Sequence, residues 1–181
     1  MQLIVNGQFV DNPWQDCDQL SDFGVLPLER LQQLLDGGNE MPRTVGLNLS
    51  AADGVDVDSK LFADLSLIVI EFDSHNDGRG YSIAASLRSA GFDHELRARG
   101  ALLSDQYPQL RACGFDSIEI PDELAERHTA LDWLKAYRRF PQRYQTTPAS
   151  LGSVLEQRHR APGERTNEST LQRHQHSLLQ H

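Results

Sequence analysis

The stretch that most constrains the fold runs from Leu67 to Ile120, where strand-like and helix-like patterns alternate. It opens on Leu67-Ile68-Val69-Ile70, apolar at every residue and therefore on both faces of an extended chain. Such runs mark strands buried on both sides, as in parallel sheets covered by helices. A polar turn with glycines follows from Asp73 to Ser82, and Ile83, Leu87 and Ala90 then recur at helical spacing until Gly91. In the next strand Leu96 and Ala98 alternate with Arg97 and Arg99, which puts the two arginines on one side. Leu103, Tyr107 and Leu110 form a second helical stripe, stopped by Gly114, and Ser117 to Ile120 reads as the strand after it. This alternation predicts an α/β fold of repeated β-α-β units with right-handed crossovers and a mainly parallel sheet. Counted from the alternating segment Val45 to Leu49, the sheet has about four strands. An open three-layer sheet and a half-barrel both accommodate them.

The flanks are less regular. Asn6-Gly7 between apolar residues predicts a small N-terminal hairpin at an edge. Asp11 to Asp22 reads as an acidic loop in which Trp14 covers a core edge. Leu26-Pro27-Leu28 opens a short helix with Leu28, Leu31 and Leu35 on one face, ended by Gly37-Gly38. Asp53, Asp56 and Asp58 lack the spacing of a helix-loop-helix calcium site, and their segment reads as a solvated loop. A last helix capped by Asp122 places Leu124, His128, Leu131 and Leu134 on one face, with His128 as a core residue. From Ser153 onward the chain is rich in Gln, Arg, His and Ser, too polar to offset the entropy of ordering. The expected organisation is one α/β domain over residues 1–145 and a polar tail over 146–181, with His174 and His176 solvated.

Composition removes several function classes. The formal net charge is −9, where a groove for nucleic acid or an anionic membrane needs a basic surface. No apolar run has the length of a membrane span, and the N-terminus lacks the pattern of a secretory signal. Cys17 and Cys113 form no CxxC pair and no metal-ligand spacing, so no metal site is expected. A reducing, cytoplasmic location with neither nucleic acid nor membrane as partner follows.

Candidate chemistry sits at two strand-to-helix turns, because ligands of parallel sheets bind beyond the carboxyl ends of the strands. In the first, residues 73–82, Asp77, Gly78, Arg79, Gly80 and Ser82 precede a helix N-terminus and could cradle an anion. The alternative is a glycine turn in which Arg79 pairs with a carboxylate such as Asp77. In the second, residues 97–106, Arg97, Arg99, Ser104 and Gln106 could bind an anion, with Ser104 as helix cap. There the alternative is an ion-pair network with Glu71, Asp73 or Asp105. Glu71, at a strand end, and Asp105 are the candidates for proton transfer. Cys113 lies near a helix C-terminus, which raises a thiol pKa and suits a small core residue better than a nucleophile. No flavin, nicotinamide, iron–sulfur or haem ligand pattern is present, and the cofactor stays open.

One ordered set of residues resembles a known family. Asp77-Gly78-Arg79-Gly80-Tyr81-Ser82, Leu87-Arg88, Glu95-Leu96-Arg97-Ala98-x-Gly100, Asp105-Gln106 and Arg111-x-Cys113-Gly114-Phe115-Asp116 look like the bacterial domain of unknown function 934. Pro13-Trp14 and Pro27-Leu28 fit as weaker flanks, so the resemblance covers about residues 1–145. Asp73-Ser74-His75-Asn76 and the His/Gln-rich tail depart from the family's pattern. Members are commonly encoded beside assimilatory sulfite reductase and are often described as probable oxidoreductases of sulfite reduction. The resemblance therefore implies a place in assimilatory sulfur metabolism and brings no catalytic residue with it. Two functions follow as expectations. One is an accessory or docking protein whose partner is a sulfite-reduction enzyme. The other is a small enzyme that binds a sulfur oxyanion or phosphate-bearing substrate at the two turns.

Overall fold

The computed structural model describes residues 1–50, 57–74 and 77–139. Chain contacts divide the protein into two units, Met1–Tyr144 and Gln145–His181, and the second lies outside the described residues. So do the expectations for the tail, for Asp53 and Asp56, and for His75 and Asn76.

Among the described residues, the first unit is a mixed eight-stranded sheet with five α-helices. In chain order the elements are β1 (Gln2–Val5), β2 (Gln8–Val10), β3 (Gln15–Asp16), β4 (Gly24–Pro27), α1 (Leu28–Asp36), β5 (Val45–Ser50) and β6 (Leu67–Phe72). After these come α2 (Arg79–Ser89), β7 (Glu95–Gly100), α3 (Tyr107–Ala112), β8 (Ser117–Ile120), α4 (Asp122–Arg127) and α5 (Ala130–Arg139). The strand order is β2-β1-β8-β7-β6-β5-β4-β3. The ladders from β3 to β8 are parallel, whereas β1 runs antiparallel to both β2 and β8. The expectation of a mainly parallel sheet is thus corrected to a mixed one. The predicted hairpin is present, with Asn6 and Gly7 both at positive φ, and it extends the sheet past β8.

The strands β3 to β8 follow one another without a reversal, so successive right-handed crossovers stack the helices on one face. That face holds the main core, with Leu47, Ile68, Ile70, Leu96, Ala98, Ile118 and Ile120 packed beneath Leu31, Ile83, Leu87, Leu110 and Trp133. Among the described residues, the opposite face has a small apolar cluster of Val25, Leu67 and Val69 under Trp14. It is concave. Asp16 on β3 and Arg99 on β7 are four strands apart, about 19 Å on a flat sheet, yet their side chains meet at 2.8 Å. The half-barrel is therefore the architecture, and the three-layer alternative is excluded.

Three local expectations are corrected. Leu26 and Pro27 close strand β4, and α1 begins only at Leu28, because Gly24–Leu26 is fully buried between β3 and β5. The loop from Asp11 to Asp22 contains β3. The last helix breaks at His128, whose backbone is extended, and Asp132 accepts from the Thr129 amide and hydroxyl at the new start. The break resets the helical phase. Trp133 and Ala136 face the core, Leu131 is exposed, and His128 is half-buried with its ring edge-on to Trp133. No helix among the described residues is long and apolar enough to cross a membrane.

Candidate functional site

Alternation along the central strands sets the chemistry of the concave face. Asn48 on β5, Glu71 on β6, Glu95, Arg97 and Arg99 on β7, and Ser117 and Glu119 on β8 all stand opposite residues that face the core. Register then aligns them: Arg99 lies between Glu71 and Glu119, and Arg97 lies beside Ser117.

Both predicted arginines are buried and held by protein groups. Arg97, 1% exposed, donates to Glu95 at 2.8 Å, Glu119 at 3.2 Å, Asn12 at 3.0 Å and Ser117 at 3.3 Å. Arg99, 8% exposed, donates to Asp16 at 2.8 Å and lies 3.3 Å from Glu119 and 3.6 Å from Glu71. Burial alone would lower the Arg99 pKa. The hydrogen bond to Asp16 and the charges of Glu119, Asp16 and Glu71 outweigh burial and raise it. Glu119 joins both guanidiniums and is itself 3% exposed.

A strap from the N-terminal region closes the face from above. Asn12 accepts from the Trp14 amide and from Arg97, so it positions the indole and the guanidinium together. The Trp14 ring lies on Gly46, where an added Cβ would come within 3.1 Å of it, and packs edge-on against Phe23. Asp16 then reaches Arg99. Beyond the strap, a cleft of about 230 Å³ opens between Asp16, Cys17, Asp18, Val25, Pro27 and Asn48.

The first turn is organised by its own residues. The Asp77 carboxylate accepts from the Arg79 amide and from both arms of the Arg79 fork, at 3.0 and 2.7 Å. That hydrogen bond lowers the Asp77 pKa and raises that of Arg79. Asp73 adds a contact at 3.6 Å. Gly80 is small because a Cβ there would meet the Phe72 ring at 2.4 Å. Gly78 faces open space and Ser82 is exposed. Tyr81 stacks edge-on against Phe72 and accepts from Gln106, so this hydrogen bond links the two predicted turns. Burial raises the Tyr81 pKa. Among the described residues, Arg79 shares no partner with Arg97 or Arg99.

At the second turn, Gln106 caps the Leu103 amide, and Ser104 is a buried residue inside the 3₁₀ turn. The expected cap at Ser104 is thus supplied by Gln106. Glu71 accepts from Asn48 at 2.9 Å on the concave face, whereas Asp105 is exposed in the first turn of the 3₁₀ helix. The two proton-transfer candidates have no contact with each other. Cys113 caps the end of α3, half-buried, and burial raises its pKa.

Sequence reasoning missed Asn12, Asp16, Asn48, Glu95, Ser117 and Glu119. The signal for three of them was present, since Asn48, Ser117 and Glu119 interrupt apolar strands at alternate positions. Asn12 and Asp16 come from a segment whose path across the sheet depends on the curl.

Residues 46–154 match the family described as "Bacterial protein of unknown function (DUF934)". The chain belongs to this family. No curated protein and no solved structure matches it. The family's region supplies β5 to β8 with both arginines, whereas the strap and β1 to β4 precede it. Much of the motif string that the chain shares with the family has a structural task. Arg88 donates to the carbonyls of Phe92, His94 and Gly114 and pairs with Asp116. Arg111 holds the carbonyls of Phe115 and Asp116. Gly114 has φ +103, and a Cβ there would come within 2.7 Å of Arg88. These residues lock the ends of α2 and α3 to the starts of β7 and β8.

Proposed function

We propose that this chain is an accessory or docking protein of assimilatory sulfur metabolism that acts beside sulfite reduction. The setting comes from the family resemblance, and the docking role comes from the charge inventory of the concave face. The observation that carries it is the excess of carboxylates around Arg97 and Arg99, although the buried Arg99 Nε has no hydrogen-bond partner among the described residues. Two guanidiniums face Asp16, Glu71, Glu95 and Glu119, so two positive charges meet four negative ones. An enzyme that grips a sulfur oxyanion or a phosphate needs positive charge left over for it. Arg79 brings no surplus charge either, since Asp77 and Asp73 both face it. The reading as a small enzyme at turns 73–82 and 97–106, with Glu71 or Asp105 moving protons, requires these pairs to open first. It is the weaker one.

Light scattering on the purified chain mixed with assimilatory sulfite reductase tests the proposal. The expected result is a co-eluting complex whose mass is the sum of its parts. Separate elution at micromolar concentrations, with reductase turnover unchanged by the chain, would overturn the docking role.

A further inference from the structure

The hairpin that extends the sheet past β8 is closed by the chain's one Asn-Gly pair. Val5 pairs with Gln8, so Asn6 and Gly7 alone form the loop. Their φ values of 52° and 76° make it the type I′ turn that so short a hairpin favours. Asn6 is exposed to water, and Gly7 is buried. The same dipeptide is open to a covalent reaction. A glycine nitrogen, with no side chain beside it, can attack the amide carbon of the asparagine before it. The new C–N bond closes a cyclic imide, and the side-chain nitrogen leaves as ammonia. Water then opens the ring at either carbonyl. One product is aspartate; the other is isoaspartate, which carries an extra methylene in the main chain.

The fold opposes the first step. Attack needs the Gly7 nitrogen on the same side of the Asn6 Cα–C bond as the Asn6 side chain. The first ψ of a type I′ turn is about +30°, the mirror image of type I, and it swings that nitrogen nearly opposite the Cβ. The closed hairpin therefore holds the reacting atoms apart, and an open one lets them meet.

The fold also separates the two products. Aspartate leaves the main chain as it was, and Asp-Gly suits the same turn. Isoaspartate lengthens a loop that has no slack. A Cβ added to Gly7 would lie 2.8 Å from Tyr137 Cβ, 2.9 Å from the Trp133 carbonyl oxygen and 3.0 Å from Leu134 Cα, so α5 presses directly on the turn. Those atoms belong to the backbone or to a side-chain stem and cannot swing aside. Loop length also sets register, which here places Ile4, fully buried in the main core, opposite Phe9 and Ile118.

We propose that Asn6 is a deamidation site gated by the hairpin. Opening of the β1–β2 turn admits the reaction, and the isoaspartyl product keeps the turn from closing again. A transient opening at this edge of the sheet thus becomes permanent.

The test is peptide mapping of the full chain kept in mildly alkaline buffer, folded or in urea, with the aspartyl and isoaspartyl forms separated. In urea Asn6 is converted before any other asparagine. In the folded chain the conversion is slower by at least about tenfold, the factor set by a turn closed about nine-tenths of the time or more. Urea unfolding of the separated products is the second arm. The aspartyl form and the variant Asn6→Asp keep the wild-type midpoint, whereas the isoaspartyl form has a lower one. Equal rates in the folded chain and in urea, or an isoaspartyl form with the wild-type midpoint, would overturn the proposal.

Discussion

Glu119 is the residue on which the concave face depends most. Among the described residues it is the one carboxylate within reach of both buried arginines, and neither guanidinium is exposed enough to find water instead. Removing one member of a buried pair leaves uncompensated charge. Glu119→Gln is therefore expected to cost about 3 kcal/mol in urea unfolding, and a loss below about 1 kcal/mol would contradict the account. Gly100 is constrained in a different way. Its φ is +143, and a Cβ would lie 2.5 Å from the Phe72 carbonyl oxygen, which is backbone and cannot swing aside. Gly100→Ala should cost about 2 kcal/mol or more, read from the same unfolding curves. Asp132 governs part of the acid response. Its hydrogen bonds from Thr129 lower its folded pKa, so its contribution is complete above the unfolded carboxylate's pKa of about 3.9. As pH falls below that value the unfolded chain takes the proton first, and stability declines with pH through the folded pKa. The stability gap between wild type and Asp132→Asn should accordingly shrink in unfolding curves taken from about pH 6 down to about pH 3, and a constant gap would contradict it.

At the scale of elements, the strap from Asn12 to Asp16 decides whether the half-barrel has an open face. Trp14 caps the cluster of Val25, Leu67 and Val69, and Asn12 and Asp16 anchor it to β7. Trp14→Ala should cost about 2 kcal/mol and expose the cluster, measured by unfolding and by binding of an apolar dye. Unchanged stability would mean that the strap is not part of the folded core. The sequence made β5 to β8 legible because each carries either a continuous apolar run or a clean alternation. It hid β3, which is two residues long and polar, and β4, whose Leu26-Pro27-Leu28 also suits the start of a helix. The phase of α5 was hidden too, since the extended backbone at His128 restarts the count and moves Leu131 outward. Local pattern cannot register such a break when both halves favour helix.

For the whole molecule, the decisive property is the curl of the sheet. It brings β3 against β7 and turns two arginines that look available in sequence into members of an acid-rich network. Arg97 and Arg99 were legible as a pair on one side of a strand, and Arg79 was legible as a neighbour of Asp77. The count of carboxylates waiting for the pair was not, because Asp16 is distant in sequence and reaches Arg99 only through the curl. The acidic balance of the chain, −9 overall, agrees with a protein that leaves little positive charge free. The central claim is that this network is internal and not an anion clamp. Its most direct test is thermal unfolding of the purified chain in sulfite, sulfate and phosphate, each matched to chloride in ionic strength. A specific ligand at about 100 times its Kd would add about 2.7 kcal/mol to the stability of the fold. The account predicts no saturable stabilisation by any of the three. A saturable rise in Tm that disappears in Arg97→Lys or Arg99→Lys would contradict it and restore the two turns as a substrate site.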